Sequence, residues 1–366
     1  MNIEKMTKTI LTVIIILTTS LTGCLSSELG EQNQDRKSLT VLTYDSFDST
    51  GSIVTDFTNM TGYDVTVIRA GDAGGVLERA LQMSGVESFD IILGLDSTYA
   101  PIALDNNLLI PHGVIPSNNI SLLGSTIQDD RLMPYDQGFV CLNYDVRFLN
   151  ENNLSVPNSL WDLTSAEWSG KVAIPSPETS SPGRMFLAAT AGGDWGNDEN
   201  RSWSEWWRSM VNNDLIITSG WSEAYEVRYS GGYGVYYDGF IGDAVAVLSY
   251  CHSPGAEAFW GGGTTNSVAL DVPASSILQV EYVAISSDTS DNEGAKEFIK
   301  HLLSESTQAT LPETNVMYPV IETLSIPEGP YANNSIIPSI PTVLTATQIS
   351  ESMDEWLTIW ISSVSS

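Results

Sequence analysis

Basic residues are scarce in this chain. Its 366 residues include 15 Lys plus Arg against 45 Asp plus Glu, which gives a formal net charge of −30. Nucleic-acid binding needs Lys and Arg clustered on one face, so this balance argues against nucleic acid as a partner. The acidic residues are spread along the whole chain, which favours general surface solvation over steering of a cationic ligand.

Cysteine and histidine are also rare, with three of each. No Cys and His spacing typical of zinc is present, and we expect no metal site. Neither a Gly-x-Ser-x-Gly elbow nor a histidine-centred group occurs, which argues against an exported hydrolase or transferase. Cys141 and Cys251 both lie beside strand-like sequence. They are compatible with one disulfide or with two buried thiols.

The apolar run near the amino end, residues 10–21, is too short to span a bilayer comfortably. Lys5 and Lys8 precede it, and small residues lead to Cys24. This pattern predicts a lipoprotein signal peptide over residues 1–23 with acylation of Cys24; an uncleaved anchor is the alternative. Residues 24–37 have no apolar period and predict a flexible tether. We therefore expect an extracytoplasmic protein anchored at a membrane face.

Strands and helices alternate in the first part of the remaining chain. Predicted strands near residues 38–43, 65–67 and 89–93 each lead into a loop that carries a carboxylate. This alternation predicts a parallel α/β sheet whose crossovers bring the three loops to one edge. The second loop, residues 70–75, is rich in glycine and precedes a helix. It suits an anion or an amide, or is a plain tight turn.

The mature length of about 340 residues exceeds what one core usually fills, so the chain predicts two lobes. Two long apolar segments, residues 139–145 and 277–285, are interpreted as strands that cross between them. The predicted division is residues 38–137 plus 281–366 for lobe 1 and residues 138–280 for lobe 2. We expect a monomer.

Residues 218–225 read Thr-Ser-Gly-Trp-Ser-Glu-Ala-Tyr and follow a short apolar run. Open α/β sheets bind small molecules at the carboxyl ends of their strands, so this stretch is a candidate ligand-binding segment. Alternatively Trp221 and Tyr225, four residues apart, pack into the core. Ser180 and Ser181 precede another apolar helix, where hydroxyl and N–H groups suit a phosphate or carboxylate as well as ordinary capping.

The order of short segments resembles the solute-binding proteins of ABC importers with two crossing strands, and among them the periplasmic thiamine-binding proteins. The similar segments span nearly the whole mature chain: residues 42–47, 93–96, 134–138, 179–183, 220–225, 248–250, 278–281 and 317–320. Those at 220–225 and 317–320 are the most specific. The resemblance implies a two-lobed, periplasmic-binding-protein-like fold of type II.

The same resemblance implies capture of thiamine, or of its mono- and diphosphates, and delivery to an ABC permease. It implies no cofactor and no chemistry on the ligand. Tyr44, Trp221 and Tyr250 would supply aromatic and phenolic contacts. Asp72 would accept from the aminopyrimidine. The residues at the phosphate end would be Ala73 with Ser180 or Ser181.

Two departures from the family pattern concern the walls of the site. Similar proteins carry a stacking tyrosine shortly after the Ser-Pro turn, whereas this chain continues as Gly255-Ala256, with Phe259 and Trp260 a few residues on. The stretch from residue 229 to 242 looks inserted, and Tyr236 or Tyr237 either supplies a substitute ring or decorates the surface. The same fold with a polyamine or an iron or anion complex is the alternative ligand hypothesis.

Overall fold

The computed structural model describes residues 37–48, 50–196, 201–236, 239–322, 324 and 327–365. The predicted signal peptide, Cys24 and nearly all of the predicted tether lie outside these residues, as does Tyr237. Across the described ranges, no helix is both long enough and apolar enough to cross a bilayer.

Strand–helix repeats begin the described chain, as the alternating pattern predicts. They are β1 (Ser38–Thr43), α1 (Ser52–Thr61), β2 (Asp64–Arg69), α2 (Ala73–Met83) and β3 (Ile91–Asp96). β1 pairs in parallel with both β2 and β3. The loops that follow these strands therefore meet at one edge of the sheet.

The remaining elements alternate less regularly. They are α3 (Ala100–Asp105), β4 (Leu109–Ile110), β5 (Met133–Asp145), α4 (Val146–Asn152), β6 (Val172–Pro175), α5 (Ser181–Ala191), α6 (Trp203–Asn212), β7 (Ile216–Thr218), β8 (Ala246–Tyr250), α7 (Ser253–Trp260), β9 (Ser267–Ala269), β10 (Ser276–Ser286), α8 (Asn292–Leu302), α9 (Glu305–Thr314), β11 (Tyr318–Pro319), α10 (Pro330–Asn334) and α11 (Ala346–Val364). A π-helical turn covers Glu223–Arg228, and short 3-10 turns cover Leu160–Thr164, Ala166–Trp168 and Tyr233–Tyr236.

Strands β5 and β10 form the centre of the sheet. The main strand order is β2-β1-β3-β10-β5-β8-β6-β7, with β4, β9 and β11 on its margins. β5 and β10 are antiparallel to each other. On the outer sides of this pair, β10 is antiparallel to β3 and β5 is antiparallel to β8. Parallel strands flank this centre on both sides. The two predicted crossing strands are thus confirmed as the strands that join two parallel groups.

Side-chain alternation along β1 and β3 builds a core on each face of the sheet. Leu39, Val41, Ile91 and Leu93 pack on one face with Phe57 of α1 and Phe298 of α8. The intervening Leu42 and Ile92 pack on the other face with residues of α2 and α3. Helices cover both faces, which explains why these strands are apolar on both sides.

A third core lies beyond β5 and is rich in tryptophan. Trp206 and Trp207 of α6 are fully buried and lie 5.1 Å apart between ring centroids. Trp207 also contacts Trp360 edge to face, with centroids 5.9 Å apart. Helix α11 therefore packs against α5 and α6, whose residues fall within 138–280. The division into two lobes by residue number stays a prediction.

Cys141 of β5 and Cys251, directly after β8, form a disulfide. Their Cα atoms are 4.9 Å apart, and both side chains are fully buried. The bond joins neighbouring antiparallel strands and closes a loop across a sequence separation of 110. Of the two alternatives that the sequence allows, the structure thus contains the disulfide.

We expect the double variant Cys141→Ala/Cys251→Ala to lose about 2–4 kcal/mol of unfolding free energy, because removing a long cross-link enlarges the unfolded ensemble. Urea unfolding with and without a strong reductant measures this. The reductant should lower the midpoint of the unmodified protein and leave that of the double variant unchanged. Equal midpoints of the unmodified protein under both conditions would contradict the prediction.

Candidate ligand-binding cavity

A cavity of about 830 Å³ lies where the loops after the parallel strands meet. Its volume is typical of small-molecule sites. The loop after β1, the first turns of α2 and α5, strand β10 and the segment after α9 contribute to its wall. The lining residues are Tyr44, Asp45, Ser46, Asp72, Ala73, Gly94, Ser181, Pro182, Trp221, Ser222, Glu226, Tyr233, Tyr236, Tyr250, Trp260, Glu281, Glu313, Thr314, Asn315, Val316 and Met317.

The structure brings most of the sequence-predicted contacts together in this cavity. Six of the seven residues assigned by resemblance line it: Tyr44, Asp72, Ala73, Ser181, Trp221 and Tyr250. Ser180 does not line the cavity, because its side chain is fully buried behind the wall. The fold therefore assembles this set from positions up to about 200 residues apart.

Trp221 presents its indole to the cavity and is held on its other sides. Its ring stacks on Tyr225, with centroids 5.0 Å apart and planes 13° apart. The indole Nε1 donates to Ser249 Oγ at 2.8 Å. Both sequence alternatives for this stretch are therefore realised in part, because Tyr225 is core and Trp221 is at the cavity wall. The π-helical turn that begins at Glu223 is of a kind often found at functional sites.

Tyr225 is in turn held by a buried carboxylate. Its hydroxyl donates to Glu257, which also accepts from the hydroxyl of Thr265. Burial raises the pKa of Glu257 to about 7, although these hydroxyl donors oppose the shift. Glu257 does not line the cavity. It supports Trp221 from behind, through Tyr225.

Asp72 connects opposite walls of the cavity. It is the residue before α2, and its Oδ2 accepts from the backbone N–H of Trp221 at 3.0 Å. Burial raises the pKa of Asp72 above its ordinary value, while the hydroxyl of Ser180 and the N–H of Trp221 lower it. Asp72, which is predicted to accept a hydrogen bond from the aminopyrimidine, thus also holds the turn that carries the indole of Trp221.

The floor of the cavity is a hydrogen-bonded polar network. The hydroxyls of Tyr44 and Tyr135 are hydrogen-bonded to each other. Asn315 Nδ2, with two N–H donors, lies within hydrogen-bond distance of both hydroxyls, at 2.7 and 3.0 Å, and of Asp136 Oδ2 at 2.7 Å. The ring of Tyr44 also requires Gly94, because a Cβ at this position would lie 2.1 Å from the ring.

The predicted phosphate end contains two helix starts. Ala73 begins α2 and Ser181 begins α5, and both line the cavity. Helix amino ends attract anions through their unpaired N–H groups. The Ser181 hydroxyl, however, already donates to Asp96 Oδ2 at 2.6 Å. An anion here would therefore rely mainly on backbone N–H groups.

The substitute aromatic residues have different positions. Trp260 and Tyr236 line the cavity at its rim, where they are 58% and 88% exposed. Phe259 does not reach the cavity, because it packs towards Tyr331. Position 255 has no room for a side chain, since a Cβ there would lie 2.0 Å from Ser335 Oγ. A ring at position 255 would therefore require Ser335 and the backbone of Tyr331 to move.

Carboxylates dominate the charge of the cavity. Five line it, and among the described lining residues there is no Lys, Arg or His. The carboxylate-bearing residues are Asp45, Asp72, Glu226, Glu281 and Glu313. No group of His, Cys, Asp and Glu suited to a metal ion occurs in the searched, described part of the chain. The cavity is therefore better suited to an organic cation than to an anion.

Sequence reasoning missed the contribution of the central strands. Glu281 and Asn315 line the cavity, and Asp136 supports them, but none was predicted as a site residue. A signal was present, because Glu281 interrupts one apolar, strand-like segment and Asp136 lies just before the other. Ionisable residues inside a central strand are rarely buried without a partner or a ligand.

We expect Glu257→Gln to gain stability relative to the unmodified protein as the pH rises. A carboxyl whose folded pKa is raised costs stability once the unfolded chain ionises, and the cost grows until the pH passes about 7. Between about pH 5 and pH 8 the difference in unfolding free energy should change by on the order of 2 kcal/mol.

Urea unfolding of both proteins at the two pH values measures this change. The exposed Glu151→Gln serves as the matched control and should show no such trend. If the stability difference between Glu257→Gln and the unmodified protein were the same at both pH values, Glu257 would not titrate in this range.

Comparison with known proteins agrees with this geometry. Residues 52–338 match the family model described as bacterial extracellular solute-binding protein. The thiamine-binding periplasmic protein of Brucella melitensis biotype 1 is 28% identical over 315 residues, 85% of this chain and 87% of the relative. That of Escherichia coli strain K12 is 27% identical over 332 residues, 89% of this chain and 93% of the relative.

Solved structures show the same architecture. A periplasmic thiamin binding protein matches with a TM-score of 0.75 and 25% identity, covering 90% of this chain and 96% of its own. Iron-bound HitA from Pseudomonas aeruginosa matches with a TM-score of 0.65 at 16% identity, covering 89% and 99%, which is a likeness of fold alone. The predicted type II, periplasmic-binding-protein-like α/β fold is thereby confirmed.

The similar proteins are solute-binding proteins and not enzymes, so the expectation of a non-catalytic role is confirmed. The predicted location outside the cytoplasm is confirmed by the same relatives. The family match covers more than half of the sequence. The chain therefore belongs to the bacterial extracellular solute-binding proteins.

Proposed function

We propose that this protein captures thiamine, or a thiamine phosphate, and delivers it to an ABC permease. The observation that carries the proposal is the cavity, which combines the indole of Trp221 with five carboxylates and, among its described lining residues, no basic side chain. Thiamine joins a cationic thiazolium to an aminopyrimidine. The names of the relatives in Brucella melitensis and Escherichia coli support the same ligand.

Each part of thiamine has a complementary group in the cavity. A cation over an aromatic face gains about 0.5–2 kcal/mol, and Trp221, Tyr44 and Tyr250 offer such faces or phenol groups. Asp72 accepts from the exocyclic amine. In a phosphorylated ligand, the starts of α2 and α5 receive the tail.

A polyamine is the second candidate, since the carboxylates that line the cavity also suit a linear polycation. The aromatic wall separates the two hypotheses. A flat thiazolium or pyrimidine gains from the face of Trp221, whereas a flexible polyamine has no ring to stack. Direct titration with thiamine, its mono- and diphosphates and spermidine therefore tests the proposal.

We expect Trp221→Ala to lose at least tenfold in thiamine affinity, about 1.4 kcal/mol, because it removes the main stacking face. Trp221→Phe retains a ring and should lose less. Isothermal titration of purified, ligand-free protein measures both, and circular dichroism checks that the fold is kept. Tight binding of spermidine without binding of thiamine would overturn the proposal. So would an unchanged thiamine affinity of Trp221→Ala together with a cavity that stays empty in the presence of thiamine.

In this proposal the mature chain is a monomer held at the membrane by acylated Cys24. We expect Cys24→Ala to move the protein from the membrane fraction to the soluble extracytoplasmic fraction, because acyl chains provide the attachment. Immunoblotting of fractions from expressing cells measures this, and the soluble variant gives the oligomeric state by light scattering. Retention of the variant in the membrane fraction would favour an uncleaved anchor.

A further inference from the structure

Three carboxylates lie in a row across the middle of the sheet. Glu281 of β10 is paired in register with Asp96 of β3 on one side and with Asp136 of β5 on the other. Residues paired across antiparallel strands point to the same face, and like charges in such pairs destabilise a sheet. All three are buried, with at most 5% exposure. Of the three, Glu281 lines the cavity.

The three carboxylates differ in how well their charges are compensated. Asp96 accepts hydrogen bonds from Ser181 Oγ, from the backbone N–H and hydroxyl of Thr98 and from the N–H of Tyr99. Glu281 accepts from Gln279 Nε2 at 2.9 Å and from the hydroxyl of Tyr135 at 3.3 Å. Asp136 Oδ2 accepts from Asn315, and its Oδ1 has no partner among the described residues.

The groups that influence the charge of Glu281 are carboxyls, phenols and the amide of Gln279, and the buried Arg184 of α5, a helix that packs against β10, lies over the ring of Tyr99. The titratable neighbours of Glu281 are Asp96 on β3, Asp136 and Tyr135 on β5, Tyr44 after β1 and Tyr250 on β8. In the described chain, the cavity beside Glu281 is lined without Lys, Arg or His. Among the described lining residues, therefore, none supplies a counter-ion for Glu281.

We propose that Glu281 is the counter-ion for the bound cation and that ligand binding displaces one proton from the Glu281–Asp136 pair. This inference rests on the proposed function, because it needs a permanently cationic ligand. Before binding, the pair retains one proton. On binding, the cation takes the place of that proton, the proton leaves to solvent, and the net charge of the occupied site is unchanged.

The electrostatics of the pair agree with this exchange. Burial, and then the charge of Asp136, raise the pKa of Glu281 well above its ordinary value. Burial raises the pKa of Asp136 to about 7. Two interacting carboxyl groups titrate as a pair, so the proton is shared between them. A positive charge beside Glu281 favours its ionised form and lowers the pKa of the pair.

Isothermal titration with thiamine in two buffers of different ionisation enthalpy measures the released protons directly. Near about pH 7 we expect between about half a proton and one proton to be released per bound thiamine. Affinity should rise with pH, by up to about tenfold per unit, while the pair is protonated and then level off. This rise has the sign expected of a cation that competes with a proton.

Three variants locate the effect. Glu281→Gln should abolish proton release and weaken thiamine binding at least tenfold, because the counter-ion is lost. Asp136→Asn removes the like-charged neighbour, so Glu281 ionises at a lower pH. This variant should release less than about half a proton near neutral pH and lose less affinity than Glu281→Gln. The exposed Glu151→Gln, which makes the same chemical change outside the cavity, should resemble the unmodified protein.

The outcomes separate this inference from the proposed function. Thiamine binding without proton release, or unchanged proton release in Glu281→Gln, would overturn the counter-ion assignment alone. Absence of thiamine binding in the unmodified protein would overturn the proposed function and this assignment together. Proton release that disappears in Glu281→Gln, shrinks in Asp136→Asn and persists in Glu151→Gln would establish it.

Discussion

The burial of carboxylates in the central strands is the constraint on which the site depends. Strands β5 and β10 hold the two halves of the sheet together, and both carry an ionisable side chain at the cavity floor, Asp136 and Glu281. Removing such groups from water costs stability unless hydrogen bonds or an opposite charge compensate. Tyr44, Tyr135 and Asn315 form the hydrogen-bond network around them, and in our proposal a bound cation supplies the opposite charge.

The aromatic wall of the cavity is also held in place by contacts with neighbouring side chains. Trp221 is positioned by stacking on Tyr225, whose hydroxyl is fixed by the buried Glu257. Asp72 holds the backbone of the same turn from across the cavity. Because the indole is fixed before a ligand arrives, little side-chain entropy remains to be lost on binding. The cavity therefore combines a preorganised aromatic face with a floor of buried carboxyl groups that accept hydrogen bonds.

The sequence predicted features whose physical cause is local. Alternating apolar residues in β1 and β3, and the long apolar segments of β5 and β10, marked the strands. Parallel topology then followed from the alternation of strands and helices, and with it the common edge for the loops that carry Tyr44 and Asp72. The sequence could not decide whether Cys141 and Cys251 form a disulfide, because the bond requires a short distance between two strands that the sequence does not specify.

Sequence alone thus determined the strand–helix order and the acidic character, because each depends on residue type and local period, while the candidate aromatic and hydroxyl contacts came from the resemblance to thiamine-binding proteins. Tertiary structure decided which neighbours those residues have. It brought Glu281 into register with Asp96 and Asp136, turned Phe259 away from the cavity and buried Ser180 behind its wall. The pairing of Glu281 depends on strand register, and a one-residue shift would move its side chain to the other face of the sheet. The positions of Phe259 and Ser180 depend on packing between distant segments.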